Sequence, residues 1–284
     1  MESPHLQAAD NVFELFASEK DEDPKGKVTM SNRLARATHQ LTLYELRVVY
    51  LALTKAKSFP GRDAALTLHK NMGWRVTLNA KEYAETFGLT LKAAYVQLRG
   101  VVEGLMKKKV RRVLSRNALG QEHYEEFIWV QYACYDEAAH TIEVLFSAPV
   151  TPHLLGLKDH FTLFLLRHVS GLDSSYAVAL YRNLKSWADT RRWAPTLEEF
   201  WEAMDVPESS SYRRDFKALR LRVIEPAVAS INAKTDLHLE WRPIKAGQRK
   251  VSSIDFRFVA AKDPLQTSGM TPTIIPGSDG DLLV

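Results

Sequence analysis

The stretch SSYRRDFKALRLRVIEPAV, residues 210–228, sets Arg213, Arg214, Lys217, Arg220 and Arg222 within ten positions, with Tyr212, Phe216, Leu219 and Val223 threaded between them. Cations at this spacing carry no covalent chemistry. They can form charge-assisted hydrogen bonds to phosphate oxygens, and arginine can pair in two-pronged fashion with the edge of guanine. On an α-helix of about 100° per residue, Arg213, Arg214, Lys217 and Arg220 share one sector of roughly 120°, and the apolar series fills an adjoining one. Ser210 opens the stretch and joins the site, whereas Arg222 projects elsewhere and is left out. Past Leu221 the outward sector turns apolar (Leu221, Ile224), which confines any ligand to the first three turns. Asp215 is the only acid between Ser209 and Val223, whereas a solvated helix face mixes both signs. Pro226 should kink the helix or make it restart.

The rest of the chain must supply the frame. Its 284 residues, 45% hydrophobic and 25% charged, are enough for two ordinary globular domains. No apolar run approaches the roughly 18 residues of a membrane helix, and the N-terminus lacks the basic start and apolar stretch of a secretory signal. Cys134 is the only cysteine, which excludes an internal disulfide or a cysteine-cluster metal site and fits a reducing cytoplasm. Net charge is +4, unevenly placed: residues 1–27 carry a net −4, so the remainder carries about +8, gathered in clusters. Clustered positive charge of this kind suits a polyanion better than a small anionic substrate.

An internal duplication organises the middle of the chain. In residues 75–113, Asn79 caps a short helix ending at Gly88, and Thr90 caps a longer one whose buried face is Leu91, Ala94, Leu98, Val101 and Leu105. Lys92, Tyr95 and Arg99 project from its other side. Lys107, Lys108, Lys109, Arg111 and Arg112 then lead into strands, with Asn117–Gly120 as the turn, Tyr124–Tyr135 and Thr141–Phe146 following. In residues 194–228 a short helix from Thr196 to Met204 precedes the opening stretch, and strands Leu237–Pro243 and Val251–Phe258 follow it. Upstream helices at Thr42–Lys57 and Ser174–Thr190 complete the units. The order short helix, turn, longer helix, β-hairpin is that of a winged helix. The expected fold is therefore α+β: two tandem winged-helix domains, 28–150 and 151–260, between an acidic flexible leader (1–27) and a disordered tail (261–284). A winged helix lays its second helix in the major groove. The main reading face is then Ser210, Arg213, Arg214, Lys217 and Arg220, and Lys92, Tyr95 and Arg99 form a supporting one. Lys107 and Lys108 are expected on backbone phosphate, and Arg249 and Lys250 at the tip of the second wing.

Signatures of catalysis are missing. There is no GxxxxGK[ST] loop, GxGxxG turn or GxSxG elbow. The nine histidines include no His-x-His or HExxH pair, so neither a metal nor any other cofactor is expected. Glu82, Glu85, Glu198, Glu199 and Glu202 fall in early turns of short helices, where they favour the helix dipole. Trp187, Trp193 and Trp201 read as core.

Three segments carry a family likeness: MSNRLARATHQLTLYELRVVYLAL (30–53), GLKDHFTLFLLRHVSGLDSSYAVALYRNLKSW (156–187) and VIEPAVASINAKTDLHLEWRPIKAGQRKVSSIDFRF (223–258). Together they resemble the replication initiator (Rep) proteins of iteron-containing bacterial plasmids. The resemblance implies tandem winged-helix domains and binding to direct repeats at an origin. It also implies a monomer that initiates replication and a homodimer that represses its own gene at an inverted repeat, with the apolar strands at 124–146 as the dimer contact. Host initiator and helicase proteins would be recruited, and no reaction on DNA performed. A pure winged-helix repressor would need only the same DNA binding, and replication of a plasmid carrying gene and origin separates the two. A rolling-circle nicking enzyme would need a nucleophilic tyrosine and a histidine metal pair, and the pair is missing.

Overall fold

A computed structural model describes residues 26–58, 73–155, 160–246 and 250–261, together with Asp63, Leu66, Thr67 and Leu157. The leader up to residue 25, the tail from residue 262 and Arg249 lie outside the described residues. Strand β1 (Lys27–Ser31) runs into the one-turn helix α1 (Asn32–Ala35), and α2 (Leu43–Thr54) follows. Thr42 and Glu45 close a capping box at the start of α2, with the Glu45 carboxylate accepting the Thr42 N–H at 2.7 Å. Apolar residues lie on all sides of α2, and from Val48 to Leu53 every one is buried, so it forms the central helix of the first unit.

β2 (Trp74–Asn79) leads into α3 (Ala80–Phe87) and α4 (Leu91–Leu105). The expected caps are in place: Asn79 accepts from Lys81 N–H, Thr90 from Ala93 N–H, and Gly88 ends α3 at φ +62°. Ala94, Leu98, Val101 and Leu105 are buried as their spacing predicts, but Leu91, in the first turn, faces solvent. α4 lies close against α2 where Gly104 leaves room: a Cβ there would sit 2.2 Å from the Glu45 carboxylate.

β3 (Lys109–Arg116) and β4 (Glu122–Ile128) form a hairpin about the turn at 117–120. Asn117 Oδ1 accepts the N–H groups of Leu119 and Gln121 there. The single strand expected over Tyr124–Tyr135 is in fact two. Fully buried Trp129 separates β4 from β5 (Val130–Asp136), which pairs instead with β6 (Thr141–Phe146) in an antiparallel β2-β6-β5 sheet.

β7 (Phe161–Leu165) pairs along its whole length with β1 (Lys27 opposite Leu165, Ser31 opposite Phe161). Backbone pairing thus runs across residue 150, where the sequence reading places the domain boundary. α5 (Leu166–Ser170) and α6 (Ser175–Lys185) follow. α6 starts on its Ser174 cap but stops five residues short of the expected Thr190. The second unit consists of β8 (Arg192–Trp193), α7 (Leu197–Ala203), the helical segment 211–234, and the hairpin β9 (Leu237–Ala246) and β10 (Lys250–Ala260), in sheet order β8-β10-β9. Both halves are winged helices.

One contiguous apolar core runs through both units, and a buried charge sits at their junction. Arg182 on α6 is fully buried. Its Nε donates to Ala35 O at 2.9 Å, and its Nη1 donates to His39 Nδ1 at 2.8 Å. Burial, then the adjacent guanidinium, pushes the His39 pKa well down, so the ring is neutral and carries its proton on Nε2, which donates to Leu34 O at 2.7 Å. The His39 N–H donates to Asp205 Oδ1 at 2.8 Å and the Trp129 indole to His39 O at 3.2 Å. Burial raises the Asp205 pKa, while Arg182 pulls the other way.

Arg182→Met removes the cation facing Asp205 and should destabilise the chain by about 3 kcal/mol or more. Exposed Arg33→Ala should stay within about 0.5 kcal/mol, with urea unfolding measuring both. A second buried cluster supplies acid sensitivity. Burial opposes ionisation of Asp236, but Lys185 (2.9 Å), His168 and the Tyr181 hydroxyl (2.6 Å) outweigh it and lower its pKa. A depressed carboxylate stabilises the fold above its unfolded pKa, about 4, and that contribution is lost as pH falls through the folded value. Asp236→Asn should flatten the acid limb of a stability–pH curve.

Candidate nucleic-acid interface

The segment that carries the cations is not the continuous helix its spacing predicts. Ser210 caps a 3₁₀ turn, Ser211–Arg213, accepting the Tyr212 N–H at 3.2 Å. The chain then extends at Asp215 (φ −123°, ψ 100°), whose carboxylate accepts the Lys217 N–H at 2.8 Å and caps α8 (Phe216–Leu219). Aspartate stabilises a helix start better than a helix interior, so it restarts the helix here. A π turn, Arg220–Ile224, follows, in which the Glu225 N–H reaches back five residues to Arg220 O. α9 (Glu225–Lys234) then begins with Pro226 in its first turn. The restart expected at Pro226 is present, prepared by the π turn before it.

These breaks reassign the side chains. Arg213 does not face outward: its Nε and Nη2 donate to Val206 O at 3.0 and 2.7 Å, and its guanidinium lies over the Trp201 ring at 5.5 Å. It clamps the turn between α7 and the cationic segment. Arg214, Lys217 and Arg220 are exposed as expected, with Arg220 near Glu225 at 3.4 Å in a solvated pair of small value. Arg222, which a uniform helix turns away, is exposed as well, and Ile224, expected outward, is fully buried. Lys250 is exposed at the tip of the second hairpin.

In the first unit the expected cationic face is largely committed elsewhere. Lys92 is exposed, but Tyr95 stacks on His140 at 4.7 Å and Arg99 pairs with Glu137. Between them Val96, 69% exposed, helps line an apolar groove of about 650 Å³ with Tyr44, Ala93 and Val101. The basic run behaves similarly. Lys108 lies 3.7 Å from the buried Glu45 carboxylate, Lys109 pairs with Glu126, Arg111 with Glu122 and Arg112 with Glu125. Arg116 bridges Glu122 (2.7 Å) and Glu202 (2.6 Å) and so ties the first hairpin to α7. Hydrogen bonds from Arg111 and Arg116 hold the Glu122 pKa low. Of the described cations in the run 107–112, Lys107 is the one with no carboxylate partner, whereas Lys108, expected beside it on phosphate, is drawn toward Glu45.

Among the described residues, no group of three His, Cys, Asp or Glu side chains is arranged to hold a metal ion. The cationic segment of the second unit thus exposes Arg214, Lys217 and Arg222 without a carboxylate partner, and Arg220 in a solvated pair. Exposed guanidinium groups on the second helix of a winged helix can reach phosphates and base edges; they can do little else chemically.

Two family models match the chain. One, described as Initiator Replication protein, WH1, covers residues 27–185, and the other, Initiator Rep protein, WH2, covers residues 196–258. The chain is 24% identical over 234 residues to an uncharacterized 27.6 kDa protein of Escherichia coli, covering 81% of this chain and 95% of that one. It is also 24% identical over 269 residues to the PI protein of Escherichia coli, covering 86% of each. The solved structure of a Pi initiator protein in complex with iteron DNA shares the fold, with a TM-score of 0.63 at 22% identity, covering 85% of this chain and all of that one.

Arg213 and Arg214, adjacent in sequence, should separate cleanly in a thermal melt. Arg213→Ala loses two charged hydrogen bonds to Val206 and should cost about 1–3 kcal/mol, whereas Arg214→Ala should leave the midpoint unchanged.

Proposed function

This chain belongs to the initiator replication protein family, and we propose that it initiates replication of a plasmid by binding direct repeats at the origin as a monomer. The observation that carries this reading is the exposed, unpaired Arg214, Lys217 and Arg222 of the second winged helix, set against a first hairpin whose Arg111, Arg112 and Arg116 are held by glutamates. The relative solved with iteron DNA supports the same substrate class. In this reading the second unit reads sequence, and the first contributes Lys92 and Lys107 to backbone contact together with the dimer surface. β5 lies at the edge of its sheet with Tyr132 and Cys134 exposed, which offers an outer strand edge to a second copy. The dimer binds an inverted repeat and represses the gene, and host initiator and helicase proteins are recruited to the monomer–origin complex. No reaction on DNA is assigned to the protein itself. No helix among the described residues is long and apolar enough to cross a membrane, and the plasmid in the bacterial cytoplasm is the proposed site of action.

A plasmid carrying this gene and its adjoining repeats should replicate, and one encoding Arg214→Ala with Lys217→Ala should not. In binding titrations Arg214→Ala should cost about 1–3 kcal/mol on the cognate repeat and relax preference at one base position. About six free cations, Lys92, Lys107, Arg214, Lys217, Arg222 and Lys250, set the salt dependence. The slope of log K against log[salt] should be about −5.4. A slope shallower than about −2 would show that these side chains remain solvated when DNA is bound.

A further inference from the structure

One residue on the proposed reading face has no electrostatic role. Leu221 is 44% exposed, and after residue 132 the only other large apolar side chain so exposed among the described residues is Val259, on the far hairpin. Its neighbours do the packing: Leu219, Val223 and Ile224 are all buried. Leu219 and Ile224 stand five residues apart and would diverge by about 140° on a uniform α-helix. The π turn brings both into the core and leaves Leu221 outside, four residues past Lys217 and flanked in sequence by exposed Arg220 and Arg222.

An isolated leucine at the centre of a cationic strip cannot contact phosphate. The apolar feature that B-DNA presents in its major groove is the C5 methyl group of thymine. Resting on the DNA-reading role proposed above, we propose that Leu221 packs against a thymine methyl and fixes the preference at that base pair, between positions set by the cations around it. Leucine is sized for this contact, and its exposure in the free protein means that the surface is covered only when DNA is bound.

The test uses the full chain and a duplex that it selects from a random-sequence library. Each thymine of that duplex is replaced in turn by uracil, which removes the methyl group and keeps every hydrogen-bonding atom. At one position uracil should weaken the native chain about fourfold, the value of burying one methyl-sized group. Leu221→Ala should show the same loss on thymine DNA and no further loss on uracil. Uracil without effect at every position, or a uracil penalty undiminished in Leu221→Ala, would overturn the assignment. Leu221→Ala binding DNA normally while losing plasmid replication would also overturn it and make Leu221 a contact for a protein partner. Arg214→Ala on the same duplex separates the two levels of reading. If it too binds normally, the DNA-reading face is wrong; if it alone weakens binding, the face stands and only the leucine contact falls.

Discussion

A buried guanidinium anchors the side of the first winged helix that meets the second. Arg182 reaches from α6 to the backbone of Ala35 and the ring of His39, and the main-chain N–H of His39 reaches Asp205. From Asp205 the next residue, Val206, offers the carbonyl that Arg213 clamps, so the chain of contacts runs from the interior to the base of the cationic segment. From His39 another branch runs through the Trp129 indole to the point where β4 gives way to β5. Replacing such a network by apolar side chains need not reduce stability, because desolvating the ions offsets much of their attraction. A network of hydrogen bonds has direction, however, and an apolar contact does not. Its effect here is to fix where His39 of the first unit stands relative to Asp205 at the base of the cationic segment.

The same residue types do opposite work in the two halves. Cross-strand pairing about the turn at 117–120 sets Arg111 opposite Glu126 and Arg112 opposite Glu125, and the resulting hairpin is close to neutral. Arg116 extends that pairing across the domain junction to Glu202, whose pKa burial raises against the pull of Arg116. In the second unit Asp215 uses its carboxylate on a backbone N–H, as a helix cap and not in an ion pair with a cationic side chain. A count of charges along the chain rates both clusters alike. The positions of the glutamates separate them.

Much of the frame was legible in the sequence. Thr42, Asn79, Thr90, Ser174 and Thr196 cap the helices they begin, and the first hairpin turns where expected, because short-range hydrogen bonds decide these features. What could not be read depends on distant partners. Arg99 meets Glu137 38 residues away, and Trp129 is drawn into the core to split one strand into two. The pairing of Arg111 and Arg112 was within reach, since the turn at Asn117–Gly120 fixes the register that opposes them to Glu126 and Glu125. The alternation of basic and acidic residues about that turn was the signal, masked by reading the run 107–112 as a block.

The cationic segment failed as a uniform helix for reasons also written locally. Asp215 is a capping residue in the middle of the stretch, and Pro226 has no N–H for the carbonyl of Arg222. A chain that must carry Pro226 and still bury Val223, Ile224 and Ala227 gains from widening the preceding turn, because five-residue spacing restores the alignment that a proline-broken α pattern loses. The widened turn carries Arg222 to the surface and seats Ile224 within. Leu221 is left between two arginines, 44% exposed. The proline acts on the proposed reading face from a position where it need touch no base, by setting which side chains the helix presents.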